Sequence, residues 1–330
     1  MTVTYVGTLP LPATWYAALA DRVPEAEVLH LDADPGAWPA DVVDRVAMVH
    51  TADDVDPSRL PALRCVQLDT SGVDHLAGSA LWGSPVPLVS LGGIAPVPMG
   101  EYALLGLLGL AHHLLAIDRL RARRVWPDAA TRLKSLTPRA IAGSRVCIVG
   151  YGRIGREIGR LCAAFGMHVT GVRRGGGDAR PQLGADRPAA DAEVVDVSRL
   201  DDALADADWV VLVLPLTAGT RGLLDADRLD RMKPGAGLVN IARGGIVDEA
   251  ALLERLRDGR IGGAVLDVFD SEPIGPDSPW WDEPRVLMTP HVAGLAPEYL
   301  RGTLDLVAEN LRRLQHDLPL LNEVERSRGY

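Results

Sequence analysis

The run Val146–Gly159, VCIVGYGRIGREIG, decides how this chain folds. Four apolar residues give way to glycines at 150, 152 and 155. The residues that follow repeat at helical spacing: Ile154, Ile158, Leu161, Cys162 and Phe165. Strand, glycine turn and amphipathic helix in that order are the context that gives a Gly-x-Gly-x-x-Gly pattern its meaning. Gly150 permits the tight turn, Gly152 lets the backbone approach a pyrophosphate, and Gly155 allows close packing of helix on strand. The helix N-terminus then offers unpaired amides and the positive end of its dipole to phosphates. A glycine-rich turn that holds no ligand is the bland alternative; the three elements together favour a dinucleotide-binding unit.

The next strand sharpens that reading. In proteins that use NAD, an acidic residue near its end takes the adenosine ribose 2′-OH. In Gly166–Arg180, GMHVTGVRRGGGDAR, that place belongs to Arg173, 18 residues past Gly155, with Arg174 beside it. Two guanidinium groups suit a 2′-phosphate through charge-assisted hydrogen bonds. NADP(H) is therefore the expected cofactor; NAD(H) stays open if both arginines are merely solvated. Gly175, Gly176 and Gly177 read as a flexible loop.

Further out, the same alternation runs through the chain. After Arg145 the apolar runs are RVCIVG, MHVTGV, DWVVLVL (208–214), GLVNIA (237–242), GGAVLDVF (262–269) and RVLMTPH (285–291). Near-continuous apolar strands are expected where helices cover both faces of a sheet. An earlier series lies at 3–6, 27–31, 46–50, 65–69 and 86–91, spaced by about 20 residues, which leaves room for crossover helices and predicts another parallel sheet. The Gly/Pro-rich patch 92–100 separates the two series. A long apolar helix is expected from near Glu101, and 127–138 reads as a surface excursion. The tail from Pro297 has helical spacing at Leu300, Leu304, Val307, Leu311 and Leu314, with no strands of its own.

Composition excludes several classes. The chain has 330 residues, 47% hydrophobic and 24% charged, enough for two ordinary globular domains. A net charge of −10 argues against broad capture of nucleic acid or an acidic membrane. Cys65, Cys147 and Cys162 lie in apolar segments without CxxC spacing, so buried reduced thiols are expected, with no metal site. The most membrane-like segment, 103–117, falls short of the roughly 20 residues a span needs and carries His112 and His113. The N-terminus lacks the pattern of a secretory signal. A cytoplasmic protein is expected.

Three residues stand just beyond apolar strands, at the carboxyl edge where open α/β sheets bind ligands. They are Arg243 in VNIARGGIVDE, Glu272 in DVFDSEP and His291 in LMTPHVAG. Taken singly, each also reads as an ordinary surface or turn residue. Together they suit one chemistry. Arginine holds a carboxylate in bidentate fashion and polarises an adjacent ketone. Histidine gives or takes a proton near neutral pH. A carboxylate beside an imidazole favours its protonated form. With a nicotinamide, such a set suits hydride transfer between the cofactor and a 2-oxo acid.

With these motifs in view, the sequence resembles the D-isomer-specific 2-hydroxyacid dehydrogenases over nearly its whole length. The resemblance rests on TSGVDHL (70–76), GEYAL (100–104), GYGRIGREIG (150–159), LPLTAGTRGLL (214–224), NIARGGIVDEAAL (240–252), LDVFDSEP (266–273) and TPHVAG (289–294). It implies that Arg243 binds and polarises substrate, that Glu272 supports the histidine and that His291 is the general acid/base. It further implies substrate-carboxylate binding by backbone around Ser71, Gly72 and Val73. The implied cofactor lining joins Arg153 and Ile154 to the three glycines and two arginines. It continues through Leu214, Pro215, Thr217, Thr220, Ile241, Ala242 and Gly294, with Asp267 contacting the nicotinamide carboxamide.

The implied fold is α/β, two Rossmann-like domains with parallel sheets. The dinucleotide-binding domain (99–291) is inserted into a flavodoxin-like substrate domain (1–98 plus 292–330). The helix near 101–120 would build a homodimer, with Trp126 near the subunit contact or simply half-buried. The glyoxylate/hydroxypyruvate reductase branch is the expected activity. The pairing of His291 with Glu272 instead of glutamine argues against formate oxidation, and no room is seen for an added regulatory domain. Ala296-Pro297 stands where a threonine is frequent, on the substrate side. A nucleotide-sensing, corepressor-like binding protein on the same fold is the alternative, but it needs none of Arg243, Glu272 and His291.

Overall fold

A computed structural model describes residues 2–175 and 191–329. Its strands pair only in parallel, in two sheets. By contact the described residues separate into two units, 2–94 with 296–329 and 95–175 with 191–295.

In the first unit, β1 (Val3–Gly7), β2 (Ala26–His30), β3 (Val46–Thr51), β4 (Cys65–Leu68) and β5 (Leu88–Val89) lie in the order β2-β1-β3-β4-β5. This is the flavodoxin-like order. Side chains alternate between two cores along β1. Tyr5 joins the helix Ala13–Arg22 and the tail on one face, and Val6 joins Trp38, Val42 and Leu60 on the other. The tail forms the helix Pro297–Gln315 with Leu304, Val307, Leu311 and Leu314 buried, while Leu300 stays at the surface. Fully buried Asn310 bonds both backbone groups of Leu321, turning the chain after the helix back over β5.

The second unit contains β6 (Arg145–Val149), β7 (His168–Arg173), β8 (Glu193–Asp196), β9 (Trp209–Leu212), β10 (Ala236–Asn240), β11 (Ile261–Leu266) and β12 (Val286–Met288). The order β12-β11-β10-β9-β6-β7-β8 reverses direction at β6, between β7 and β9. That reversal is the Rossmann switch point, where such sheets open a crevice beyond their carboxyl ends.

Several sequence expectations need correction. The strand β8 is absent from the apolar series because it is a mostly exposed edge, EVVD, with no buried face to impose a pattern. The apolar helix starts earlier, at Pro96, where proline's missing N–H costs nothing. It stops at Ala111, since His113 takes a left-handed conformation (φ +53°). A second helix, Leu114–Ala122, leaves at a bend of 68°. Residues 127–138 are at the surface but include the helix Ala129–Ser135, capped by Asp128. Phe165 is half-exposed, and Trp126 is 86% exposed, so it is not half-buried. Gly176 and Gly177 lie outside the described residues. Among the described residues no single helix is long and apolar enough to cross a membrane.

All three cysteines are buried and free. Burial pushes the Cys147 and Cys162 thiols up to about 12, and that of Cys65 higher still, which keeps them inert. Asp208 ties the start of β6 to its surroundings. It accepts from the Arg145 amide at 2.9 Å, from Arg139 at 2.8 Å and from Lys233 at 3.4 Å. Burial alone would raise its carboxyl; the Arg145 amide and the two cations outweigh that and hold it below the usual carboxylate range.

Asp208→Ala is therefore expected to cost about 1–3 kcal/mol in urea unfolding at pH 7. A lowered folded-state value gives stability that is present above the unfolded value and lost as pH falls through the folded one. The gap between wild type and variant should therefore narrow in acid.

Candidate active site

At the switch point the chain uses its glycines for different purposes. Gly150 has φ +101°, and a Cβ there would lie 2.4 Å from the Val213 carbonyl oxygen. A Cβ on Gly155 would lie 2.4 Å from the carbonyl oxygen of Gly150. The protein's own packing thus excludes side chains at both. Gly152 differs: its Cβ would meet nothing within 4 Å, so the protein's packing does not require a glycine there. It is the N-cap of the helix Arg153–Ala164 and, as a glycine, brings no side chain of its own to cap the first turn. Open space before the first-turn amides fits a dinucleotide pyrophosphate.

The flanking segments frame that edge. Beyond β9, the Thr220 hydroxyl donates to the Pro215 carbonyl at 2.7 Å and accepts from the Thr217 amide at 2.8 Å, closing the loop that follows Leu214. Beyond β7, Arg173 and Arg174 are exposed. Gly175 donates its amide to Asp196 at the end of β8, at 2.8 Å. Hydrogen bonds from Ser198 hold the Asp196 carboxyl below its ordinary value.

The carboxyl ends of β10, β11 and β12 carry the other residues. Buried Asn240 accepts from the Ala242 amide at 3.1 Å and donates to the Arg243 carbonyl at 3.0 Å, folding the turn that delivers half-buried Arg243. The Arg243 guanidinium donates to the Ala242 carbonyl at 2.7 Å. Gly244 then presses on the next loop: a Cβ on it would lie 2.0 Å from the carbonyl carbon of Phe269. Three residues further along that loop, Glu272 accepts from the Phe269 amide through Oε1 at 2.8 Å. Its Oε2 is 2.8 Å from His291 Nδ1. A carboxylate accepts, so Nδ1 donates and Nε2 is left to exchange a proton with a ligand. The His291 side chain is 49% exposed.

His291 sits in the left-handed region (φ +54°), which is uncommon outside glycine, although asparagine, aspartate and histidine enter it more readily than other residues. Asp267, only 2% exposed, surrounds it with hydrogen bonds. Its Oδ1 accepts from the Thr289 hydroxyl at 2.6 Å and the Val292 amide at 2.8 Å, its Oδ2 from the Ala293 amide at 2.9 Å. The Asp267 backbone carbonyl accepts from the His291 amide at 2.9 Å. The Tyr102 hydroxyl bonds Thr289. Asn240, Thr289 and Tyr102 were invisible as site residues in the sequence. Their spacing is that of ordinary packing positions, and only the fold shows what they touch.

In the first unit, Ser71, Gly72 and Val73 form the turn beyond β4. Thr70 donates to the Gly72 carbonyl at 2.7 Å, Ser71 donates to the Leu91 carbonyl at 3.2 Å, and the Val73 side chain is buried.

Comparison with known proteins gives this geometry a family. The model of the D-isomer specific 2-hydroxyacid dehydrogenase NAD binding domain matches residues 104–293. The chain belongs to the D-isomer specific 2-hydroxyacid dehydrogenase family and is an NAD(P)-dependent oxidoreductase of that class. It is 36% identical to an (S)-sulfolactate dehydrogenase of Chromohalobacter salexigens over 78% of this chain and 79% of that protein. Among solved structures, a family member of Xanthobacter autotrophicus Py2 in complex with NADPH and MES superposes with a TM-score of 0.85 at 30% identity. The NADPH-dependent glyoxylate/hydroxypyruvate reductase of Sinorhizobium meliloti, with NADP and sulfate, gives 0.82 at 30%. Both comparisons cover all of each chain. The chain spans about half (48%) of the D-3-phosphoglycerate dehydrogenase of Mycobacterium tuberculosis, to which it is 34% identical. The binding-protein alternative finds no support among these relatives.

Because Gly244 has no room for a side chain, Gly244→Ala must displace the loop that carries Glu272. It is expected to lower stability by about 1–3 kcal/mol, read by thermal unfolding. An unchanged melting temperature would show that the loop yields freely.

Proposed function

We propose that this protein is an NADPH-preferring reductase of small 2-oxo acids of the glyoxylate/hydroxypyruvate type. The observation that carries the reading is the His291–Glu272 pair, held at the edge of a dinucleotide-binding sheet where Arg243 leaves the neighbouring strand. The domain spanning 99–291 holds the cofactor. The domain formed by 1–98 and 292–330 supplies the backbone amides of Ser71, Gly72 and Val73 for the substrate carboxylate.

In reduction, Arg243 pairs with the substrate carboxylate and polarises the ketone oxygen, stabilising the charge that develops there. His291 gives that oxygen a proton from Nε2, while Glu272 fixes the ring through Nδ1. In the reverse direction Nε2 takes the proton from the hydroxyl. A bound nicotinamide supplies or accepts the hydride. Gly150, Gly152 and Gly155, with Arg153 and Ile154 in the first turn, would hold its pyrophosphate. Leu214, Pro215, Thr217, Thr220, Ile241, Ala242 and Gly294 would line the rest. A carboxylate has about four acceptor positions, and Asp267 uses three of them within the protein, leaving one on Oδ2 for the carboxamide.

Preference for NADPH follows from Arg173 and Arg174, which can bind a 2′-phosphate where a carboxylate would bind the ribose hydroxyl. Two of the superposed relatives were solved with NADPH or NADP.

Two measurements test the reading. His291→Ala should lower kcat/KM on glyoxylate or hydroxypyruvate by roughly 10²–10⁴-fold while NADPH still binds; retained turnover removes His291 from the chemistry. Wild type should favour NADPH over NADH in kcat/KM. Replacing Arg173 and Arg174 together by serine should erase that preference by weakening NADPH alone. Equal efficiencies in the wild type would refute the cofactor assignment.

A further inference from the structure

Tyr102 and Thr289 have no part in the chemistry above, yet they end on the loop of His291. The Thr289 hydroxyl donates to Asp267 Oδ1, which commits its single proton. The Tyr102 hydroxyl bonds that same Thr289 oxygen and must therefore be the donor. Burial raises the Tyr102 hydroxyl above its ordinary value, so it keeps the proton it gives. The chain of hydrogen bonds runs one way, from Tyr102 to Thr289 to the Asp267 carboxylate.

Both ends of this chain are anchored. Tyr102 lies on the helix Pro96–Ala111, whose Gly106 sits so close to β11 that a Cβ on it would lie 3.1 Å from a Val265 methyl. Gly100 lies equally close to the helix Arg153–Ala164, where a Cβ would come within 3.0 Å of the Glu157 side chain. At the other end, Asp267 takes the amides of Val292 and Ala293, the two residues after His291. Thr289, two residues before His291, adds a side-chain attachment beside the backbone bonds from the Thr289 amide to the Leu266 carbonyl and from the His291 amide to the Asp267 carbonyl. These side-chain tethers set the backbone from which the left-handed histidine presents its ring, and Glu272 holds the ring itself at Nδ1.

We infer that Tyr102 is a positioning residue for His291, setting the histidine loop through Thr289 and Asp267; this rests on the role proposed above for His291. The hydroxyl matters for where the ring points and leaves cofactor affinity alone, so its loss should appear in kcat and in local opening of the loop.

The test compares Tyr102→Phe, Thr289→Val, Thr289→Ser and His291→Ala with wild type, using NADPH and glyoxylate or hydroxypyruvate. Tyr102→Phe and Thr289→Val should each lower kcat by roughly 10–100-fold, with the KM for NADPH changed less than about twofold. Thr289→Ser, which restores a hydroxyl, should recover most of the rate. Hydrogen exchange in the ligand-free protein gives a readout that needs no turnover. The Val292 and Ala293 amides should lose protection in Tyr102→Phe and Thr289→Val, but not in Thr289→Ser. Wild-type kcat, or unchanged protection of those amides, in both hydroxyl-deleting variants overturns the inference. Should Tyr102→Phe fail to fold, the Thr289 pair decides alone. Turnover retained by His291→Ala defeats the proposed chemistry instead, while the exchange result still reports whether the tether exists.

Discussion

The second unit depends on the contact between the Gly150 carbonyl oxygen and the Cα of Gly155. No Cβ fits between them, so the helix Arg153–Ala164 starts as close to β6 as a backbone can come. That approach places the N-terminus of the helix at the reversal of strand order. Tyr151 locks the arrangement from behind. Its ring lies over Gly171 of β7 and Gly159 of the helix, at distances that leave neither glycine room for a Cβ. With the strands all parallel, every carboxyl end falls on one edge. Residues as far apart in sequence as Arg243 and His291 thereby come to neighbouring loops without any further device.

Within those loops backbone geometry does more than charge. Glu272 is fixed by an amide three residues earlier in its own turn. Arg243 is delivered by the side chain of buried Asn240. The unusual backbone of His291 is maintained by Asp267, a buried carboxylate whose partners include two amides and a hydroxyl and, among the described residues, no cation. Such a group organises a loop because leaving any of its partners unpaired is costly.

Much of this was legible in the sequence, for identifiable reasons. Strands buried on both faces, such as VTYVG and AGLVN, announce themselves as apolar runs. The edge strand EVVD does not, because solvent makes no demand on its side chains. The break at His112-His113 was hidden, since neither proline nor glycine marks it and the residues on both sides are apolar. Arg243, Glu272 and His291 could be picked out because each is polar immediately after an apolar strand. Tyr102 and Thr289 could not, because their importance lies in partners up to 187 residues distant, and Asn240 could not, because it lies within an apolar strand and acts on the backbone of the next turn. Alternation and spacing predict two parallel sheets, and the resemblance adds the insertion of one domain into the other; spacing alone says nothing of strand order.

The tail helix has a consequence for how the molecule is made. Its buried face, Leu304, Val307, Leu311 and Leu314, completes the same core as Val3, Tyr5, Trp15 and Leu19. About 285 residues of chain separate Leu19 from Leu304. During synthesis the first sheet must therefore wait, one face covered only by the helix Ala13–Arg22, while the whole intervening unit emerges and becomes able to fold. Domains that fold in order from the N-terminus bury their own surfaces as they appear. This one cannot, and its aromatic face stays open to misassociation or to a chaperone until the helix Pro297–Gln315 leaves the ribosome.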